Sequence, residues 1–176
     1  MLHFFFWGLF AIILLAGAGM QWSEKLITVS QPAYKKNFMI RLQFAKTREL
    51  LKDMIASVTG RGRDALGFNL GLDYAFMIGL YGFIALFSYR VTENHPQEIL
   101  QSAGATVSFM MLIPWITDIF ENYCLARWSF NDNWKGPFVL YYFAVRCKWL
   151  VAAVAGAFCL TVFVYNLVKL GKGFNL

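Results

Sequence analysis

The stretch Val139–Val168, VLYYFAVRCKWLVAAVAGAFCLTVFVYNLV, decides the fold class of this chain. Its charged residues, Arg146 and Lys148, lie in its first third, and the rest of the stretch is uncharged. A membrane-spanning helix needs about 20 mostly apolar residues. The stretch is long enough to meet that requirement, so it predicts a transmembrane helix.

Three further segments pass the same test: Phe4–Met20, Gly71–Tyr89 and Ile99–Leu125. The first segment is uncharged and resembles the core of a signal peptide, with the small residues Ala16–Ala18 as a cleavage pattern. The residues before it, Met1–His3, contain no Lys or Arg, which a signal peptide would carry. We therefore expect an uncleaved membrane anchor.

The composition of the 176 residues agrees with a membrane protein, since 59% are hydrophobic, 18% aromatic and only 15% charged. A soluble domain of this length has too little interior to bury so much apolar surface, and intrinsic disorder requires low hydrophobicity. The net charge of +6 favours anionic surfaces, here lipid headgroups rather than nucleic acid. The three cysteines lack metal-ligand spacing and are expected to be small buried side chains.

The Lys and Arg residues predict the orientation, because cytoplasmic loops of membrane proteins are enriched in both. Thirteen of the 16 lie in segment 21–70, or between the third span and the first third of the fourth. The remaining three, Arg90, Lys169 and Lys172, lie on the other side. We therefore expect segment 21–70 in the cytoplasm and both termini outside.

Segment 21–70 contains a stripe of mainly apolar residues spaced alternately four and three apart: Ile40, Phe44, Thr47, Leu51, Met54 and Val58. Phe38, Leu42 and Ile55 widen this stripe. This spacing predicts an amphipathic helix, which Gly60–Arg63 ends because glycine is a poor helix former. A basic amphipathic helix suits a membrane surface, and a partner protein is the alternative. The residues expected to contact lipid headgroups are Lys35, Lys36, Arg41, Lys46, Arg48 and Lys52.

The predicted fold is all-α and polytopic, with four transmembrane helices and one cytoplasmic amphipathic helix. Residues 1–20 form the first span, 21–70 the basic loop, 71–168 a three-helix transmembrane bundle and 169–176 a short external tail. Small residues in the second and fourth spans suit close approach of helices, within the chain or between chains: Gly71, Gly79, Gly82, Ala153 and Gly156.

Charged residues inside spans cost roughly 2.5–3.5 kcal/mol each near the membrane centre and usually have partners in the bundle. The alternating direction of the spans brings six polar residues into one leaflet: Asp73, Asp118, Glu121, Asn122, Arg146 and Lys148. Three of them share one helix face because they lie three and four residues apart, namely Asp118, Glu121 and Asn122. The two bases are two residues apart, so we expect one to meet the acids and the other to extend to the headgroups.

Three interpretations of this polar group stay open. The first is a salt-bridged cluster that fixes how the helices dock. The second is a proton or cation site in a half-membrane cavity, built from Asp73, Asp118, Glu121 and Asn122. The third is a Mg²⁺ or Ca²⁺ site with oxygen ligands, which the neighbouring bases disfavour. No metal or other cofactor is predicted, and bound lipids are expected.

Two motifs resemble small four-span bacterial membrane proteins of unknown function. Leu72–Met77, LDYAFM, followed by Leu80–Gly82, is similar to a motif in their second span. Trp115–Asn122, WITDIFEN, is similar to a D-x-x-E-N motif in their third span, and Lys148 stands where they begin the last span with a base. The resemblance covers residues 40–165. It implies the four-span architecture, a bacterial inner membrane and a role for the acidic residues, but no substrate.

The sequence contains no catalytic triad, cofactor motif or metal-ligand spacing, so no catalytic residue is predicted. We expect a non-catalytic membrane subunit that scaffolds or stabilises a larger membrane complex. One alternative is a small homo-oligomeric transporter or channel that uses the carboxylates for proton or cation coupling. A second alternative is a membrane enzyme that acts on a lipid with a divalent cation. The expected partners are lipids and other membrane subunits or further copies of the chain, with no nucleic acid.

Overall fold

The computed structural model describes residues 2–131, 134 and 136–169. From residue 170 onward, the predicted tail lies outside this part of the chain. The described residues form eight helices and one isolated β-bridge. The helices are α1 Leu2–Leu26, α2 Pro32–Lys35, α3 Phe38–Gln43, α4 Arg48–Ala56, α5 Arg61–Thr92, α6 Glu98–Met110, α7 Leu112–Phe130 and α8 Phe138–Lys169.

Four helical segments are long and apolar enough to cross a membrane, which confirms the all-α, four-span prediction: His3–Leu26, Arg61–Thr92, Glu98–Phe130 and Phe138–Lys169. The second span is longer than its apolar segment, since α5 begins at Arg61 rather than Gly71. Its first turns contribute Ala65, Leu66 and Leu70 to a core shared with the preceding loop. The helix extends because protein, rather than lipid, covers these turns.

The central helix of the bundle is α5, which packs against α1, α6, α7 and α8. The main contact of α1 is with α5, and that of α7 is with α8. Because consecutive spans run in opposite directions, α1 begins and α8 ends at the same end of the bundle. The loop between α1 and α5 lies at the other end.

The third span is divided at Met111 into α6 and α7. Pro114 lies in the first turn of α7, and proline lacks the N–H that a continuous helix would use there. In the first turn of a new helix the backbone N–H groups have no acceptor within the helix, so a proline there removes no hydrogen bond. Next to the break, the Ser108 hydroxyl donates to the Ala85 carbonyl of α5 at 2.7 Å. The broken span is therefore held against α5 where its own helix is interrupted.

We call residues 27–60, between α1 and α5, the cap. Two short helices, α3 and α4, replace the single amphipathic helix that the apolar spacing predicts. A second helix begins because Thr47 is its N-cap and accepts a hydrogen bond from Leu50 N at 3.2 Å. In the predicted stripe, Ile40 and Phe44 are 57% and 39% exposed, whereas Leu42 is fully buried. The break changes which apolar side chains face the core.

The cap and the adjoining ends of the spans share one hydrophobic core. Leu42 and Leu51 of the cap are fully buried in the same cluster as Trp128 of α7 and Tyr141 of α8. The Tyr141 hydroxyl donates to the Leu42 carbonyl at 3.1 Å. The buried apolar side chains of the cap therefore pack on the spans of their own chain, while Ile40 and Phe44 stay exposed.

The two ends of the cap meet beside the first turn of α5. Val29 and Val58 form an antiparallel β-bridge, and Thr59 N donates to Thr28 O at 3.0 Å. A Cβ atom on Gly62 would lie 2.6 Å from Thr28 N. The close approach of the two backbones therefore requires glycine at position 62.

Candidate functional site: a buried polar cluster

Five of the six predicted intramembrane polar residues come together where α5, α7 and α8 meet: Asp73, Asp118, Glu121, Asn122 and Lys148. Each of the five is at most 6% exposed. At 1.5 Å per residue, they lie roughly 12–18 Å along their helices from the ends nearest the cap. The group is therefore inside the spans, in the half of the bundle nearer the cap.

Lys148 supplies the positive charge of the group. Its Nζ atom donates a hydrogen bond to Asp118 Oδ1 and forms ion pairs with both Asp118 and Glu121. The lysine belongs to α8 and the two acids to α7. Removing such charges from water is costly unless they are paired with good geometry. The paired lysine therefore fixes α8 against α7.

Asn122 connects α7 to the acid of α5. Its Nδ2 atom donates to Asp73 Oδ2 at 2.8 Å, with both side chains buried. The Oδ1 atom of the same amide has no hydrogen-bond partner among the described residues. The hydrogen bond extends the polar contacts of α7 from α8 to α5, so all three helices are joined.

Tyr81 is a further member that the sequence analysis does not single out. Its hydroxyl donates to Asp118 Oδ2 at 2.8 Å, and the residue is 7% exposed. Asp73, Met77 and Tyr81 follow one another at intervals of four residues, which places them on one face of α5. That spacing is the signal that could have found it. We call the complete set the buried cluster: Asp73, Tyr81, Asp118, Glu121, Asn122 and Lys148.

The buried cluster contains three carboxyl groups but only one ammonium group. Glu121 Oε1 is buried without a hydrogen-bond partner among the described residues, and Oε2 meets Lys148 as an ion pair that lacks hydrogen-bond geometry. Uncompensated charge is expensive within the hydrocarbon region. The excess of carboxyl groups therefore gives the cluster a chemical capacity to take up protons.

Arg146 lies outside the buried cluster. It donates to the Tyr142 carbonyl at 2.9 Å, and its guanidinium carbon lies 3.2 Å from the centroid of the Tyr142 ring. The same guanidinium carbon lies 6.0 Å from the centroid of the Phe44 ring of the cap. Residues two apart in a helix point in different directions, so Arg146 engages aromatic rings near the cap while Lys148 enters the bundle.

The six basic residues predicted to contact headgroups all belong to the cap. Five are exposed: Lys35, Lys36, Arg41, Lys46 and Lys52. Arg48 is partly buried and donates to the carbonyls of Trp134 and Gly136. It therefore ties the cap to the loop between α7 and α8.

The buried cluster does not have the arrangement of a divalent-cation site. Mg²⁺ and Ca²⁺ require several oxygen ligands around one point, whereas Lys148 Nζ lies between the carboxylates of Asp118 and Glu121. Among the described residues, no three His, Cys, Asp or Glu side chains converge as metal ligands. The residues present therefore do not fit the metal site considered from the sequence.

Comparisons with known protein families, curated proteins and solved structures find no match for this chain. The resemblance to small four-span bacterial proteins stays a prediction. An architecture of this kind is compatible with many activities, so the fold alone does not assign a function.

Proposed function

We propose that this protein is a non-catalytic membrane subunit that scaffolds or stabilises a larger membrane complex. The observation that carries the proposal is a set of glycines in three spans with open space beside them in the described part of the chain: Gly8 on α1, Gly71 on α5 and Gly156 on α8. A Cβ atom at any of these positions would meet no neighbouring atom of the described residues within 4 Å. Glycine in a helix costs about 1 kcal/mol of stability relative to alanine. A close contact with a helix of another chain would offset this cost and explain why each of these positions is glycine.

Small residues in membrane helices let two backbones approach closely. Two other glycines of α5 serve this purpose inside the chain. A Cβ atom on Gly79 would lie 3.1 Å from Ile13 N, and one on Gly82 would lie 3.2 Å from the Leu9 side chain. The three glycines without such neighbours offer the same kind of surface to a helix of a partner subunit.

The buried cluster supports a structural role for the bundle. Its hydrogen bonds and ion pairs are made between its own members and join three helices. Each member is at most 7% exposed. Side chains that are paired with one another and covered on all sides suit the docking of helices, which gives a rigid surface for a partner.

The test is purification of the full chain from its native membrane in a mild detergent, followed by identification of the copurifying chains. We expect partner subunits in a constant ratio. Gly156→Leu should lower their recovery about tenfold, equivalent to roughly 1.4 kcal/mol. The matched variant Val154→Leu, at a position on α8 that is 58% exposed, should leave recovery unchanged. A stable isolated monomer or homo-oligomer under the same conditions would contradict the proposal.

A second candidate is a small homo-oligomeric transporter or channel in which the buried cluster couples flux to protons or cations. The excess of carboxyl groups and the unpartnered Oε1 atom of Glu121 favour it. Its test is ion flux in liposomes that contain the wild type, Asp118→Asn or Glu121→Gln. Flux that both substitutions abolish would support this candidate. Absence of flux in the wild type, or equal flux in all three, would reject it.

The proposed orientation places the cap in the cytoplasm of a bacterial inner membrane and both chain ends outside. The enrichment of Lys and Arg at the cap end supports it. Cys147 is exposed, contrary to the expectation that all three cysteines are buried. In a chain from which Cys147→Ser removes this thiol, a membrane-impermeant maleimide should label Asn94→Cys in intact cells. It should label Lys35→Cys only after lysis. The opposite pattern would show that the orientation is inverted.

A further inference from the structure

We propose that a pocket at the edge of the cap binds a phosphate group, carried by a lipid headgroup or free in solution. The pocket has a volume of about 350 Å³, within the roughly 300–1,000 Å³ of small-molecule sites. Side chains from α4, the first turn of α5 and the last turn of α7 line it. We call it the cap pocket. Phosphate binding at the cap pocket does not depend on the proposed scaffold function.

Two cationic side chains line the cap pocket, Lys52 from α4 and Arg63 from α5. In the described part of the chain, neither side chain forms an ion pair or a hydrogen bond. The described residues that line the pocket include no acid. Arg and Lys form strong charge-assisted hydrogen bonds with phosphate. The pocket therefore presents two unused donors of the sign that an anion requires.

Ser129 provides an independent observation. It lines the cap pocket and is only 7% exposed, and its Oγ atom has no hydrogen-bond partner among the described residues. A buried hydroxyl without a partner costs about 1–3 kcal/mol. Rotation of the Ser129 side chain toward the pocket would let a phosphate oxygen accept a hydrogen bond from this hydroxyl, whose Oγ atom is buried in the rotamer shown. Binding would then satisfy a polar atom that the protein leaves unsatisfied.

The position of the cap pocket suits a lipid phosphate. Arg63 lies at the start of α5 and Ser129 near the end of α7, so the pocket lies at the cap ends of two spans, just beyond their apolar segments. Trp128 and Trp134 form its aromatic wall, with centroids 5.7 Å apart and planes 7° apart. Tryptophan is enriched at this depth, beside the headgroups. The indole ring of Trp134, which is only partly buried, would face the glycerol part of a lipid, and the cations its phosphate.

The experiment measures binding to the full chain in an uncharged detergent by native mass spectrometry. The probes are dioctanoyl phosphatidic acid, dioctanoyl glycerol without the phosphate, and inorganic phosphate. We expect saturable binding of one phosphatidic acid per chain and no binding of dioctanoyl glycerol. Lys52→Gln and Arg63→Gln should each weaken binding about tenfold, and Ser129→Ala roughly threefold, since each removes a donor to a charged group.

The matched control is Lys46→Gln, which removes an exposed lysine of the cap that does not line the pocket. It should leave binding unchanged, and Lys52→Arg should restore most of the affinity that Lys52→Gln loses. Binding of inorganic phosphate with the same dependence on Lys52 and Arg63 would identify free phosphate as sufficient. Binding of phosphatidic acid alone would identify the lipid headgroup. The proposal fails if neither probe saturates, if dioctanoyl glycerol binds equally well, or if Lys46→Gln has the same effect as Lys52→Gln.

Discussion

α5 packs against its neighbours in two different ways. Toward α1 it presents Gly79 and Gly82, which leave room for aliphatic side chains of α1. Toward α7 it presents Asp73 and Tyr81, which form hydrogen bonds with side chains of that helix. We call the first contact the apolar seam and the second the polar seam.

The two seams stabilise the packing of helices in a membrane through different interactions. Lipid tails are as apolar as leucine, so an apolar seam is stabilised mainly by close van der Waals contact. A polar seam is stabilised because unpaired charges in hydrocarbon are costly, so only the matching helices satisfy one another. The apolar seam should therefore be sensitive to volume, and the polar seam to charge.

The largest effect is expected for Lys148→Met in the polar seam. The substitution leaves Asp118 and Glu121 buried without a cation, which should lower the free energy of unfolding by about 3–5 kcal/mol. Arg146→Met, two residues away and outside the buried cluster, should cost less than about 1 kcal/mol. Unfolding of the purified chain in detergent micelles measures both. Equal losses in the two variants would contradict the assignment of Lys148.

A compensating change sharpens the same test. Asp118→Asn introduced into the Lys148→Met chain should recover about 1–2 kcal/mol, because the interaction energy belongs to the pair. Lower pH should also narrow the difference in the free energy of unfolding between Lys148→Met and the wild type, since protonation of the acids removes the negative charges that the lysine balances. Additive losses in the double variant would show that the two residues do not interact.

Gly79→Leu should break the apolar seam. Even a Cβ atom at this position would lie 3.1 Å from Ile13 N, so a longer side chain must push α1 away. We expect a loss of about 1–3 kcal/mol, typical of overpacking. Gly71→Leu on the same helix, where a Cβ atom meets no atom of the described residues within 4 Å, is the matched control for the isolated chain and should be nearly neutral. Similar unfolding free energies for the two variants would show that α1 does not pack as described.

Tyr81→Phe should have a smaller effect in the polar seam. It removes one hydrogen bond to Asp118 and leaves the ring in place, which should cost about 1 kcal/mol. Tyr74→Phe, on the same helix with the tyrosine 40% exposed, should change stability by less than about 0.5 kcal/mol. If both variants unfold like the wild type, Tyr81 does not stabilise the buried cluster.

The smallest effect is expected for Asn69→Leu, which removes a polar contact from the apolar seam. Asn69 Nδ2 donates to Met20 O at 2.8 Å and to Ser23 Oγ at 2.7 Å. The Ser23 hydroxyl itself donates to Met20 O at 2.9 Å, so both oxygen atoms on α1 keep a partner after the change. The free energy of unfolding should change by less than about 1 kcal/mol. A loss as large as that of Lys148→Met would mean that both seams depend on polar contacts.

The polar seam was largely predictable from the sequence, and the apolar seam was not. Charged residues are rare in the spans, and the alternation of span direction alone places Asp73, Asp118 and Lys148 in one leaflet. The choice of Lys148 over Arg146 depends on how α8 is rotated, which only packing determines. The partners of Gly79 and Gly82 depend on which helix lies beside α5, and nothing in their spacing identifies α1.

The cap shows a second limit of periodicity. A stripe of apolar residues indicates which positions avoid water on a continuous helix, but the cap helix stops at Gln43 and a second helix begins at Arg48. As a result, Ile40 and Phe44 are exposed, whereas Leu42 beside them is fully buried in the core. Similarly, the apolar segment of the second span does not reveal that α5 begins at Arg61, because its first turns are covered by the cap. Tertiary contacts decide these boundaries.

The order of the elements along the chain has a consequence for biosynthesis. Thr28 and Thr59 can pair as soon as α1 and α5 are in the membrane, which closes the cap at its base. The side chains that cover Leu42 include Tyr141, which a ribosome makes about 100 residues later at roughly 5–20 residues per second. During those seconds the apolar surface of the cap is not yet covered by α8. A nascent chain that stops before α8 would thus display an unfinished cap to chaperones and proteases.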